Sequence, residues 1–490
     1  MEYEQFKSLA KNYTAIPVYR RLMADVLTPV SLFLNIRKGA LYPFLLESVE
    51  GGEQLARYSF LGRNPYQLLK FDGEIVTVDK EDGTTENPDK PYFDVLKDLT
   101  TAYSEPKLAD LPRLTGGAVG YSSYDTVREV EDLPNVPKDE LKLPEAVWAF
   151  YDEVYAFDHV KQQVVIIKTM FVEKGDEDLD SLYREAQDSL DAMEKLVYDS
   201  SVGKETFSIY PERLRSNMEQ HDFEKMVEKA KEYIYEGDIF QVVLSQRFET
   251  DFEGDRFMLY RALRMVNPSP YLFFLDFGNY SFVGSSPEVL VRVQDKTAEL
   301  LPIAGTRPRG DTPEEDMALE EDLKNDPKEI AEHVMLVDLG RNDLSRVCKS
   351  GTVKPVRCQV IERYSHVMHI VSDLKGQLAD GNTAVDALMQ CFPAGTVSGA
   401  PKIRAMKIID ELEPAKRGPY AGAVGYFDFS GNMDTCIAIR TMVVTENTVY
   451  IQAGAGIVAD SEPTKEFEET RNKAGALVEA LSVALEMEQG

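Results

Sequence analysis

Two pairs of glutamates stand out by their spacing. Glu329 and Glu332 lie three apart in Lys328-Glu329-Ile330-Ala331-Glu332-His333, and Glu466 and Glu469 repeat that interval in Glu466-Phe467-Glu468-Glu469. On a helix, residues three apart share a face, so each pair presents two carboxylates side by side. Lys473 extends the second stripe by one more turn. Two such pairs facing each other suit Mg2+, which takes a few carboxylate oxygens and keeps several waters. The same spacing also describes a solvated face in an acidic chain, and spacing alone leaves both readings open.

Other residue types carry chemistry singly. Glu288 follows Gly284-Ser285-Ser286-Pro287 and alternates away from Val289, Val291 and Val293. A carboxyl buried there would hold its proton and act as a general acid; an exposed one is ordinary surface. Arg440 closes the apolar run Ile437-Ala438-Ile439, where a guanidinium wants an anionic partner and its fork suits a carboxylate. A solvent-facing strand position is the alternative. Gly454-Ala455-Gly456 follows a strand-like run. Without side chains at the glycines, backbone amides can approach a carboxylate, although a plain turn has the same composition. The stretch Thr396-Val397-Ser398-Gly399-Ala400-Pro401-Lys402 reads as a loop entering a helix with Pro401 in its first turn. Such an entry either binds an anion or is simply capped. His366 and His369 fall on opposite faces of a strand, so they need not act together.

These groups require a scaffold. Phe223, Met226, Val227, Ala230 and Ile234 recur at helical spacing, with Asp222 as N-cap and Gly237 just past the end. Strands are expected over 239–248, 271–277, 289–293, 300–303, 421–429, 436–444 and 449–453. Helices are expected over 313–323, 330–339, 384–390, 402–412 and 466–487. The first ~160 residues read as short strands broken by Gly, Pro and Asp turns, followed by a polar helix over 177–198. Asp199 to Lys204 has linker composition. It divides an N-terminal lobe, 1–200, from a second domain, 205–490. Many antiparallel-looking strands with interspersed helices indicate an α+β fold, with antiparallel sheets packed as a core sandwich and helices outside.

The bulk composition excludes several functions. With 84 acidic against 54 basic residues among 490, the net charge is −30. Nonspecific nucleic-acid binding needs the opposite balance. An anionic substrate would need its own local positive charge, from a metal or a few placed basic residues. No apolar run reaches membrane-spanning length, and Met1 to Gln5 lacks the look of a secretory leader. Four scattered cysteines without CxxC spacing argue against zinc or a disulfide framework and favour a reducing cytoplasm. No P-loop and no GxGxxG after a strand is present.

Several of these segments, in this order, resemble the chorismate-utilising enzymes. They are Ser285-Ser286-Pro287-Glu288, Pro302 to Arg309, Glu332-His333 through Asp343, Thr396 to Lys402, Gly454-Ala455-Gly456, and Glu466 to Lys473. The likeness covers roughly 222–478. Leu45-Leu46-Glu47-Ser48 and Arg57-Tyr58-Ser59-Phe60 extend it to the large subunits of anthranilate synthases within that family.

The resemblance implies a chorismate-binding fold and assigns roles. Glu332 and Glu469 would bind Mg2+, supported by Glu329 and Glu466, and the metal would hold the ring carboxylate of chorismate. Tyr420, Arg440 and the Gly454, Ala455, Gly456 amides would hold the enolpyruvyl carboxylate, with Lys473 close by. Gly305, Thr306 and Thr396 would line the substrate, Glu288 would be the general acid, and His369 would serve the elimination half. Isochorismate and salicylate synthases carry a lysine at the position of Gln241, and aminodeoxychorismate synthases typically carry one at the position of Ala304. This chain has neither, so ammonia from a glutamine amidotransferase subunit is the implied nucleophile. The implied products are anthranilate and pyruvate. Ser48, Pro270, Tyr271 and Leu272 match a regulatory tryptophan pocket. The competing readings are an aminodeoxychorismate or aminodeoxyisochorismate synthase, or a noncatalytic tryptophan-sensing subunit.

Overall fold

Near-continuous apolar runs along strands such as Ala146–Tyr151, buried at every position, dictate sheets that are covered on both faces, because successive side chains point to opposite sides. The computed structural model describes residues 1–490 except 49–56, 174–177, 200–205, 365–366 and 490. Its strands form two sheets, of thirteen and twelve strands, paired antiparallel throughout the named ladders, as in the pairing of 271–276 with 281–286 and of 117–122 with 146–151. In the strand Ala146–Tyr151, Val147, Ala149 and Tyr151 face the other sheet, while Ala146, Trp148 and Phe150 enter a second core on the outer face. In Tyr271–Asp276, Phe273 and Leu275 face inward while Leu272 and Phe274 meet the outer helices. The α+β sandwich with helices outside is the expected architecture. Among the described residues no helix is long and apolar enough to cross a membrane, and all four cysteines are free.

Both sheets draw strands from either side of residue 200. Phe44–Glu47 pairs with Tyr271–Asp276 in one sheet, and Gly117–Ser122 pairs with Ala423–Asp428 in the other. The linker-like residues 200–204 lie outside the described residues, as does His366.

Several elements depart from expectation in ways that matter for the site. The run expected as one strand over 436–444 is two strands, Met433–Ile437 and Thr441–Val444, in different sheets. Arg440 lies between them with φ +50, a conformation that few non-glycine residues adopt. It therefore occupies the crossing between sheets and not a strand position. Likewise 300–303 spans the break between Thr297–Leu300 and Ile303–Pro308. Gly454 to Gly456 lies inside the strand Thr448–Ile457, not after it. Helix Gln220–Tyr235 has Glu219 at its N-cap position, without a side-chain capping bond, and Asp222 sits in its first turn, where an acid still favours the helix dipole. Gly237 does end that helix in a left-handed conformation, φ +85. Pro401 is the N-cap of Lys402–Leu412, one place before its expected position.

Candidate active site

Two helix starts place the paired acids. Asp326 caps the helix Pro327–Ser345 by accepting from the Lys328 and Glu329 amides at 2.9 and 3.3 Å. Glu329 thus occupies the first turn, with Glu332 one turn on. The helix Pro463–Gln489 repeats the arrangement, with Glu466 in its first turn and Glu469 after it. Helix dipoles favour acids at such positions, so first-turn location alone is uninformative. What distinguishes the pairs is their surroundings. Burial, then the neighbouring Glu329, raises the Glu332 carboxyl, while Lys328 and Lys473 pull it down. Burial raises Glu466 too, with Glu469 adding to it and the same two lysines opposing. Both pairs therefore lie within the field of one pair of ammonium groups.

The strand Thr448–Ile457 ties the two helices together. Lys473 Nζ donates to the Gly454 carbonyl at 3.1 Å and pairs with Glu469 at 2.7 Å. Gln241 Nε2 donates to Glu332 Oε1 at 3.4 Å. A Cβ on Gly454 would lie 2.7 Å from the Tyr420 hydroxyl, and one on Gly456 would lie 2.7 Å from Gln241 Nε2. These glycines are needed because side chains from two other elements already fill the space beside them.

Carboxylate oxygens on two helices are the right donors for a hard cation such as Mg2+, and desolvated acids with like-charged neighbours are the groups a dication would neutralise. Glu329 is engaged by Arg307 at 3.2 Å and Glu469 by Lys473. Among the described residues no three acidic, histidine or cysteine side chains close on one point. The donor chemistry fits a metal, while the closed coordination shell is absent.

Glu288 lies beyond the strand Ser281–Ser286, and burial pushes its carboxyl up to about 7, with Thr396, Lys473 and Arg440 opposing. The Thr396 hydroxyl is buried and faces Glu288, but it makes no hydrogen bond of full geometry among the described residues. Arg440 feels Tyr420 and Glu288, and among the described residues its desolvated guanidinium has no ion-pair partner. A buried, unmatched arginine is costly unless an anion completes it. Burial pushes the Tyr420 hydroxyl up to about 12, so it stays protonated and can donate.

The strand Ile303–Pro308 is bulged between Ala304 and Thr306, where Gly305 adopts φ +69. That conformation suits glycine and brings the Gly305 carbonyl 2.9 Å from His369 Nδ1, with Thr306 Oγ1 at 3.1 Å. A carbonyl only accepts, so Nδ1 carries the hydrogen and Nε2 keeps a lone pair. Burial lowers the His369 pKa, and the ring is neutral at pH 7.

Sequence reasoning missed the buried frame behind these groups. Arg417, 2 % exposed, pairs with Glu413 at 2.6 Å and donates to the Val397 and Val243 carbonyls at 2.6 and 2.7 Å. Glu413 in turn accepts from the Ser245 amide and hydroxyl at 2.8 and 2.9 Å. The pair pins the Thr396 loop to the strand Gln241–Gly254. Its four-residue spacing looks like any surface pair, so only burial reveals it. Replacing Arg417 by methionine strands a buried carboxylate. The expected cost is about 3–5 kcal/mol, read as a lower urea midpoint.

Ser48, Pro270, Tyr271 and Leu272 come together on a separate cavity of about 730 Å3, with Glu47, Tyr426 and Asp434 also on its wall. Tyr271 donates to Asp434 at 2.7 Å and accepts from Arg292 at 2.7 Å.

Comparison with known proteins returns one family and consistent relatives. The family model for chorismate binding enzymes matches residues 48–479. The chain is 47% identical to anthranilate synthase component 1 of Acetivibrio thermocellus, covering 99% of each. It is 45% identical to that of Aquifex aeolicus, over 99% of this chain and 98% of the relative. Among solved structures, anthranilate synthase component I from Streptococcus pneumoniae superposes with TM-score 0.74 at 39% identity, covering 88% of this chain and 94% of that one. The menaquinone-specific isochorismate synthase of Escherichia coli shares the fold, with TM-score 0.70 at 20% identity over 98% of both chains.

Proposed function

This chain belongs to the chorismate-binding enzyme family, and we propose that it makes anthranilate and pyruvate from chorismate and ammonia as the ring-transforming subunit of an anthranilate synthase. The observation that carries this reading is that Gln241, which donates to Glu332, and Ala304, next to Gly305, stand where an attacking or activating group would be needed. An amide and a methyl group cannot attack a ring or activate water, so the nucleophile must arrive from outside.

The residues divide the work. Arg440, the Tyr420 hydroxyl and the amides around Gly454, Ala455 and Gly456 hold the enolpyruvyl carboxylate, with Lys473 adding charge. Gly305, Thr306 and Thr396 line the ring. Glu332 and Glu469 would hold Mg2+, supported by Glu329 and Glu466, and the ion supplies polarisation of the ring carboxylate. Ammonia forms a bond to ring C2 while the C4–O bond breaks, the hydroxyl leaves as water with the Glu288 proton, and the ring ammonium so formed gives up a proton to solvent to become the amine. Its near-neutral pKa keeps that proton available. In the second half the C2 proton leaves, the C3–O bond breaks, and the ring aromatises as the enolate of pyruvate departs and takes a proton from solvent at its methylene carbon to become pyruvate. His369 Nε2, held by the Gly305 carbonyl, accepts the C2 proton.

The relatives are named as a first component, which supports a second subunit that delivers ammonia from glutamine. Free ammonium at alkaline pH substitutes for it. The test is anthranilate fluorescence from chorismate, Mg2+ and ammonium with this chain alone. Loss on chelation and recovery with Mg2+ are expected, and activity indifferent to chelation removes the metal assignment.

The cavity at Ser48 and Pro270 to Leu272 is the proposed site for tryptophan as feedback inhibitor. Its Tyr271–Asp276 wall pairs with Ser281–Ser286, the strand that leads to Glu288. Ser48→Phe should weaken inhibition at least about tenfold with kcat unchanged in the absence of tryptophan. Unaltered inhibition curves would remove Ser48 from the effector site.

A further inference from the structure

Glu288 borders a second, smaller chamber of about 50 Å3. Its walls are mostly apolar, but Glu288, Thr396, Asp343 and Cys391 are among the residues that line it. The volume accommodates about three waters. Two observations make it a wet chamber. The buried Thr396 hydroxyl faces Glu288 without a fully formed hydrogen bond among the described residues, and a water there would complete it. Asp343, 6 % exposed, lines the same space while bonded to Lys402 Nζ at 2.7 Å; Lys402 also donates to the Cys391 carbonyl at 3.2 Å. The pair keeps slight solvent exposure, 12 % for the Lys402 side chain and 8 % for that of Asp343.

Resting on the chorismate reaction proposed above, we infer that Asp343 returns protons to Glu288 through water held in this chamber. Each turnover leaves Glu288 as a carboxylate, because its proton has departed with the C4 hydroxyl. A proton from solvent adds to the Asp343 carboxylate. It passes along the chamber water, with the Thr396 hydroxyl as a link, to the Glu288 carboxylate. Asp343 is then ionised again beside the Lys402 ammonium, and no net charge accumulates. The groups facing Glu288 are Thr396, Lys473, Arg440 and Tyr420. Those facing Asp343 are Lys402, Arg346 and Cys391. Burial outweighs Lys402 and raises the Asp343 carboxyl, which eases its transient protonation. Asp343 is a positioning and relay residue that does not touch the substrate.

The test uses the full chain with chorismate, Mg2+ and saturating ammonium. Asp343→Asn removes the relay group, and Ala394→Leu fills the chamber while leaving Asp343 and Lys402 in place. In either folded variant kcat should fall about tenfold with the chorismate KM unchanged. The solvent deuterium isotope effect on kcat should rise, and imidazole should restore turnover in proportion to its concentration. Wild-type kcat and isotope effect in Ala394→Leu would overturn the relay, whether or not Asp343→Asn folds. So would a loss in both variants with raised KM and no isotope or imidazole response, which marks a structural role. A wild-type chain that makes no anthranilate fails the functional reading itself, a distinct result.

Discussion

Glu332→Gln and Glu469→Gln should each lower chorismate turnover by about a thousandfold or more, because losing even an outer partner of a metal ligand commonly costs 10–100-fold. The same changes should leave the fold intact. Glu332 sits desolvated beside Glu329, and its carboxyl is raised in the folded state. A raised acid binds its proton more tightly when folded. Its ionisation therefore costs stability, and the protein loses that stability as pH rises through the folded pKa. Glutamine keeps the shape and the bond to Gln241 while removing the charge. At pH 8 the Glu332→Gln variant should therefore melt no lower than wild type, and higher if the metal is absent. Loss of activity with gained stability separates a functional carboxylate from a structural one. Full activity in either variant would end the metal assignment.

Glu288→Gln should cost about 100- to 10,000-fold in kcat, the range for removing a positioned general acid. Its pH signature is sharper than its size. Burial holds the carboxyl at about 7, and the proposed general-acid role needs the protonated form. With rates normalised to free ammonia, wild-type kcat/KM should fall tenfold per pH unit above about 7, the limb that reports the free enzyme. The residual activity of the glutamine variant should lack that limb. Stability follows the same sign. Wild type carries a desolvated carboxylate above pH 7, so the variant should melt higher at pH 8, and the advantage should shrink as pH falls toward 4.5. A variant that keeps the wild-type limb would assign the acid to another residue.

Much of the scaffold is legible in the chain because it obeys simple periods. Phe223, Met226, Val227 and Ala230 do form the buried face of a helix, and 402–412 is a helix as its pattern predicts. What the pattern hides is where the chain changes sheets. Apolar residues resume directly after Arg440-Thr441 and run on to Val444, with no glycine, proline or turn composition to mark the crossing, and Arg440 reads as a strand residue. The crossing is what frees its guanidinium to face Glu288 and Tyr420 and not a strand neighbour. Gly305 is a similar case. Its left-handed turn makes a bulge only because the strand Val367–Gln377 is its partner, a contact across more than sixty residues. The paired glutamates were visible by spacing, but their shared lysine field depends on bringing 328–332 against 466–473. Glu413 and Arg417 carry no signal at all short of burial. Residue types announce the chemistry, whereas the partners that tune each pKa come from distant segments.

One measurement bears most directly on the claim that this chain alone performs the ring chemistry with ammonia as nucleophile. The purified chain is given chorismate, Mg2+ and 15N-labelled ammonium at alkaline pH without a partner, and products are identified by chromatography and mass. The account predicts anthranilate carrying one 15N, with one pyruvate released for each. An aminated ring that retains its enolpyruvyl group, or a hydroxylated ring without label, would contradict it.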